Sequence, residues 1–101
     1  MKDRLELDAK FREILGNGNV YFQPPESVKM NYDCIRYKLS RINSIYANNN
    51  PYKNTKGYVG TVISKDPECK IIDEILKLPK TVFDRFYVAD NLNHWVFIIY
   101  L

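Results

Sequence analysis

Thr81-Val-Phe-Asp-Arg-Phe-Tyr-Val-Ala-Asp-Asn-Leu-Asn-His-Trp-Val-Phe-Ile-Ile-Tyr-Leu101 is the stretch on which the fold class turns. Two runs of β-branched and aromatic residues, Thr81 to Val88 and His94 to Leu101, flank Ala89-Asp90-Asn91-Leu92-Asn93. Asn and Asp tolerate the backbone of tight turns, so the pattern is that of two strands joined by a hairpin. Trp95-Val96-Phe97-Ile98-Ile99-Tyr100 is apolar at every position, which predicts a strand that is central or covered on both sides.

Upstream of this hairpin the period changes. Asp66-Pro67 reads as a helix N-cap followed by proline at the first helical position, and Glu68 adds negative charge where the helix dipole favours it. Ile71, Ile72, Ile75, Leu76 and Leu78 form an apolar stripe, and Pro79 ends the helix. Further upstream, residues 34–46 alternate: Ile35, Tyr37 and Leu39 face one way, Arg36, Lys38 and Ser40 the other, as expected of a strand with one wet face. Ala47-Asn48-Asn49-Asn50-Pro51 predicts a turn, and Tyr58 to Ile63 the return strand. Gly57 just before that strand and Gly60 within it weaken it, and either marks a bulge or a close backbone approach.

At the N-terminal end, residues 3–15 predict a helix. Asp3 can cap it, Glu6 follows three positions later, and Leu7, Phe11, Ile14 and Leu15 recur at helical spacing. Gly16 suits the left-handed position that closes it. Val20-Tyr21-Phe22 is a short extended piece stopped by Pro24-Pro25. The predicted order is α-β-β-β-α-β-β over a single domain, 1–101. That is an α+β fold with one antiparallel or mixed sheet and two helices on one face.

Composition narrows the function classes. The 101 residues carry 15 basic and 12 acidic side chains, a net charge of +3, with the signs interleaved in stretches such as Lys2-Asp3-Arg4. This predicts a solvated surface rather than the basic stripe of a nucleic-acid binder, for which binding would be incidental. Cys34 and Cys69 stand in apolar settings without CxxC spacing, as expected of buried thiols in a reducing compartment. Met1-Lys-Asp-Arg-Leu-Glu-Leu-Asp-Ala-Lys-Phe11 lacks the apolar centre of a signal peptide. The run Trp95 to Leu101 is far short of the roughly 20 residues needed to span a bilayer, so no membrane partner is expected. The expected location is a cytosol, or a particle assembled in one.

No catalytic, cofactor-binding or metal-binding residues are assigned. His94 is the single histidine, and only a contrived grouping with Cys34, Cys69 and Asp90 would make a zinc site. Gly16-Asn17-Gly18 follows a helix, whereas a phosphate loop precedes one. Asp84 and Asp90 near His94 could hold Mg²⁺ in a metal-dependent nuclease, the remote alternative. A hairpin turn at Asp90 and a cross-strand charge pair for Asp84 and Arg85 account for the same residues. The chain is therefore read as a non-enzyme. Two stretches exceed what a core needs. Tyr21-Phe22-Gln23-Pro24-Pro25 makes a stiff arm that loses little entropy on docking. The hairpin tip offers Tyr46, Asn48, Tyr52 and Lys53.

A set of blocks in this order resembles a family of phage proteins. They are Val20-Tyr21-Phe22-Gln23-Pro24-Pro25-Glu26-Ser27-Val28-Lys29-Met30, Tyr46-Ala47-Asn48 with Tyr52-Lys53, Ser64-Lys65-Asp66-Pro67, Phe83-Asp84-Arg85, and Ala89-Asp90-Asn91-Leu92-Asn93-His94. The family is the tail-completion proteins (tail terminator, head-tail joining) of long-tailed phages and prophages of Gram-positive bacteria. The resemblance runs from about residue 5 to 101 and departs at Tyr32-Asp33-Cys34, where a proline would follow the tyrosine. It implies a structural subunit of the virion, assembled in the host bacterial cytoplasm. That subunit closes as a ring, often a hexamer, on the tail-tube protein and meets the head connector or adaptor. A head-completion connector or minor capsid protein is the alternative. With the arm and the hairpin from Cys34 to Ile63 as docking patches, the candidates for subunit contacts are Tyr21, Phe22, Gln23, Pro24, Pro25, Tyr46, Asn48, Tyr52, Lys53, Asp84, Arg85, Asp90, Asn91 and His94.

Overall fold

The first helix, α1 (Arg4–Leu15), begins and ends where its capping chemistry dictates. Asp3 is extended and its Oδ1 accepts the Glu6 N–H at 2.9 Å, which satisfies one of the free donors of the first turn. Gly16 closes the helix at φ 80°, its N–H donating to the Arg12 carbonyl at 2.9 Å. Asp3→Ala is expected to cost about 1 kcal/mol. Thermal unfolding would show this as a melting temperature lower by about 4–8 °C.

A computed structural model of the chain describes residues 3–25, 29–47 and 50–101, with side chains for all of these except 41–55. After α1 come β1 (Val20–Phe22), β2 (Cys34–Ala47), β3 (Asn50–Ser64), α2 (Ile71–Leu76), β4 (Thr81–Ala89) and β5 (Leu92–Tyr100). The strands form one mixed sheet in the order β1-β2-β3-β5-β4, with β1 parallel to β2 and every other pair antiparallel. The expected α+β class, element order and single sheet are present. The all-apolar strand, β5, is interior, between β3 and β4. The peptide bond between Tyr32 and Asp33 is cis.

Three boundaries differ from the sequence reading. β3 begins at Asn50, not Tyr58, because pairing with β2 continues through Tyr46 opposite Pro51 and Ala47 opposite Asn50. Of the expected turn, Ala47, Asn50 and Pro51 thus lie in strands, and residues 48–49 are outside the described residues. α2 begins at Ile71, and Asp66-Pro67 lies in a turn before it. There the Asp66 carboxylate accepts the Glu68 N–H at 2.9 Å, and the Asp66 carbonyl accepts the Cys69 N–H at 3.2 Å. The last turn is two residues long: Asp90 and Asn91 take φ 54° and 61°, the double left-handed geometry that suits Asp and Asn in a tight hairpin.

Both helices pack on one face of the sheet. Leu7 and Phe11 of α1 and Ile72 and Ile75 of α2 join Val20, Ile35, Tyr37, Tyr58, Val62, Trp95, Phe97 and Ile99 in one buried core. Phe11 sits edge-on to Tyr37 at 5.2 Å and to Phe97 at 5.7 Å between ring centroids. Gly60 lies opposite Phe97 in register, and a Cβ there would run into the Phe97 ring, so the glycine marks a close approach. A polar cluster bounds the core beside α1. The buried Tyr37 hydroxyl donates to Asp8 Oδ2 at 2.6 Å and accepts from Arg4 Nη1 at 3.2 Å. Arg12 Nε donates to Asp8 Oδ1 at 2.6 Å, and its Nη1 to the Gly18 carbonyl at 3.0 Å.

Candidate assembly surface

Strand register fixes what the other face of the sheet presents. One row runs Arg36, Thr61, Val96, Arg85 across β2, β3, β5 and β4. The next row towards the hairpin tip runs Lys38, Val59, Ile98, Val82. Neither helix covers these rows. They form a trough of about 660 Å³, with Val59, Thr61 and Val96 among its lining residues and Arg36, Lys38 and Arg85 along its banks. Among the described residues no carboxylate lines it.

The banks are held in place by ring contacts. Tyr87 stacks on His94 with centroids 4.5 Å apart and ring planes 11° from parallel, and the Arg85 guanidinium lies 5.8 Å from the Tyr87 centroid. His94 is buried, and its Nδ1 lies 3.0 Å from the Leu92 carbonyl, the geometry of an Nδ1–H donor. His94 thus supports Tyr87 and the turn. Charge is also sorted along the chain. Five of the 15 basic residues and none of the 12 acidic ones lie between Cys34 and Ser64.

β4 is an uncapped sheet edge, and it is apolar. A register shift between Phe83 and Arg85 leaves Asp84 as the extra residue, so Phe83 lies opposite Phe97 and Phe86 opposite Trp95. Both phenylalanines therefore share the helix side. The six residues of α2 do not cover them. Val82, Phe83, Phe86 and Val88 are 58%, 42%, 47% and 61% exposed. Such an edge offers unpaired backbone groups beside large apolar side chains, the combination used for strand addition and for subunit contact.

The residues singled out in the sequence fall in different places. Phe22 packs on Tyr37 at 5.0 Å with the Arg4 guanidinium 4.3 Å from its centroid, so it serves the core margin. Tyr21 accepts the Asn31 N–H at 3.0 Å through its hydroxyl. Gln23 is tied to β2, its N–H donating to the Tyr37 carbonyl at 2.9 Å and its Oε1 accepting the Leu39 N–H at 3.2 Å. Pro24 lines the trough and Pro25 is exposed beside it. Asp84 and Arg85 are exposed on β4, with no ion pair among the described residues. Asp90 and Asn91 form the last turn. Tyr46, Tyr52 and Lys53 lie on paired strands with side chains outside the described residues, as does Asn48 entirely. Arg36, Lys38, Val82, Phe86, Tyr87 and Val88 were not singled out. The acid-free stretch 34–64 marks Arg36 and Lys38 as cationic strand residues, but no local signal places them beside Arg85 or turns Phe83 and Phe86 to one side.

Among the described residues no group of three His, Cys, Asp or Glu is arranged to hold a metal ion. Burial pushes the Cys34 thiol up to about 11, away from the thiolate a nucleophile needs. Among the described residues no helix is long and apolar enough to cross a membrane. No protein-family model matches this sequence, and no curated protein is detectably similar to it.

Proposed function

We propose that the protein is a structural subunit of phage morphogenesis, acting in tail completion or head-tail joining by assembling as a ring at the end of the tail tube. The uncapped, apolar β4 edge is the observation that carries this reading. A nine-residue edge strand with four exposed large apolar side chains is a liability in a solitary protein and an asset in an assembled one. The cationic trough beside it adds a polar rim, and interfaces join an apolar centre to such a rim. The partners are further copies, the tail-tube protein and the head connector, and the site of action is the virion, after assembly in the host cytoplasm. The resemblance of the sequence blocks to the tail-completion family supplies the biological setting.

Deleting the gene from an inducible prophage should leave filled heads and tails unjoined, or tails of uncontrolled length, in electron micrographs. Normal joined particles would refute the reading. Locating the subunit by cryo-electron microscopy of the virion would separate a position at the tail end from one in the head connector.

A further inference from the structure

β4 is the last strand of the sheet, so its outer flank pairs with no other strand. Its side chains sort by face. Thr81, Phe83, Phe86 and Val88 lie opposite Ile99, Phe97, Trp95 and Asn93, on the helix side. Val82, Arg85 and Tyr87 lie opposite Ile98, Val96 and His94, on the trough side. The bulge at Asp84 produces this order, because it reverses the alternation between the two halves of the strand.

That reversal decides how two copies of β4 can pair. Residues directly opposite each other in an antiparallel pair share a face. A regular strand meets this condition about a two-fold axis through one residue, which then faces its own copy. Centred on Arg85, such a pair would set arginine against arginine, and Phe83 against a Tyr87 that lies on the other face. Centred between Asp84 and Arg85, the faces agree for every pair outside the bulge. Thr81 then meets Val88, Val82 meets Tyr87, Phe83 meets Phe86, and Asp84 meets Arg85, each pair occurring twice.

The charges follow the same centre. Lys80, Asp84, Arg85 and Asp90 are exposed and have no ion pair among the described residues. Antiparallel pairing about this centre opposes Asp84 to Arg85 and brings Lys80 beside Asp90 at the strand ends. The flank of β2 beyond β1 lies in the stretch 34–64, which has no acidic residue to offer Lys80 or Arg85. β4 is thus its own complement in face, in apolar contact and in charge.

We infer that β4 pairs with β4 of a second copy, antiparallel about a two-fold axis between Asp84 and Arg85. The contact joins two sheets into one and lays Phe83 of each copy against Phe86 of the other. It goes beyond the assembly reading, which requires only that subunits cover this edge. A two-fold contact closes on itself, so a ring would use a second, unlike contact in addition.

Charge reversal tests it, with D84R and R85D made separately. Both positions are exposed, and unchanged far-ultraviolet circular dichroism would show that the variants fold. Sedimentation equilibrium at micromolar concentrations should find the wild type as a dimer. Each variant sets like charges opposite each other twice per dimer and should associate about tenfold more weakly. An equimolar mixture of the two should recover association, because the paired basic residues of one meet the paired acidic residues of the other. In hydrogen exchange, amides on the outer flank of β4 should gain protection as the wild-type concentration rises. No recovery on mixing, or β4 exchange that ignores concentration, would overturn the inference. A monomeric wild type would overturn it and leave the edge to a different protein. Association that runs past the dimer in both variants would overturn it in favour of an unlike contact, such as β4 on β2. The gene-deletion phenotype decides the assembly reading independently of all these results.

Discussion

Phe97→Ala is expected to remove about 3–5 kcal/mol of folding stability, the usual cost of deleting a buried phenyl ring. That is a large part of the roughly 5–15 kcal/mol that holds a small domain together. The position is unusual in what depends on it. Phe97 is fully buried in the interior strand, meets Phe11 of α1 edge-on, lies opposite Phe83 on β4, and fills the space above Gly60. Collapse into the vacated volume is limited because Gly60 has no side chain to contribute. Urea titration followed by tryptophan fluorescence, which reports Trp95 two residues away, measures the loss. Gly60→Ala should by itself cost about 1–3 kcal/mol through overpacking against the ring. In the combination with Phe97→Leu the two costs should sum to more than the measured one, since the smaller side chain makes room for the added methyl. Strict additivity would mean that residue 60 and the ring are not in contact.

Asp8→Ala should cost about 1–3 kcal/mol, because it takes away the acceptor of the Tyr37 O–H and removes the Arg12 anchor. The same group imposes a pH dependence. Burial opposes ionisation of Asp8, but hydrogen bonds from Tyr37 and Arg12 more than offset it, and the carboxyl is held below its ordinary 3.8. A depressed carboxyl contributes stability above its unfolded value, and that contribution is lost as pH falls from about 4 through the folded value. Burial first, and the Asp8 hydrogen bond second, push Tyr37 up to about 12 from its ordinary 10. This hydroxyl's contribution is therefore full below pH 10 and is lost as pH rises towards 12. Melting temperature against pH should fall at both ends in the wild type. Tyr37→Phe should flatten the alkaline limb. An alkaline limb unchanged in Tyr37→Phe would assign that loss to other groups.

The fold was legible where local chemistry and tertiary need agree. Asp3, Glu6 and Gly16 bracket α1 as the sequence indicates, and the apolar run 95–100 lies in the interior of the sheet. Asp66-Pro67 misleads because a carboxylate accepting the N–H two residues on serves an Asx turn as well as a helix start. The chain leaving β3 must first cross to the helix layer, and that requirement is tertiary. Asn50 to Gly57 has weak strand propensity, yet it pairs along β2 because a partner strand supplies the ladder. The trough was not legible at all. Arg36 and Arg85 are brought into one row by three successive registers, none of which local periodicity encodes. The β4 shelf depended on a single bulge at Asp84 that turns Phe83 and Phe86 to the same side.

The contact between Phe11 and Phe97 carries a consequence for biosynthesis. One of the rings that α1 leans on, Phe97, is translated 86 residues after Phe11 itself. Until then the nascent helix has no Phe97 to dock on, and β4 has no β5 to pair with. A polypeptide stopped before residue 97 therefore lacks the wedge that joins its first helix to the interior of its sheet.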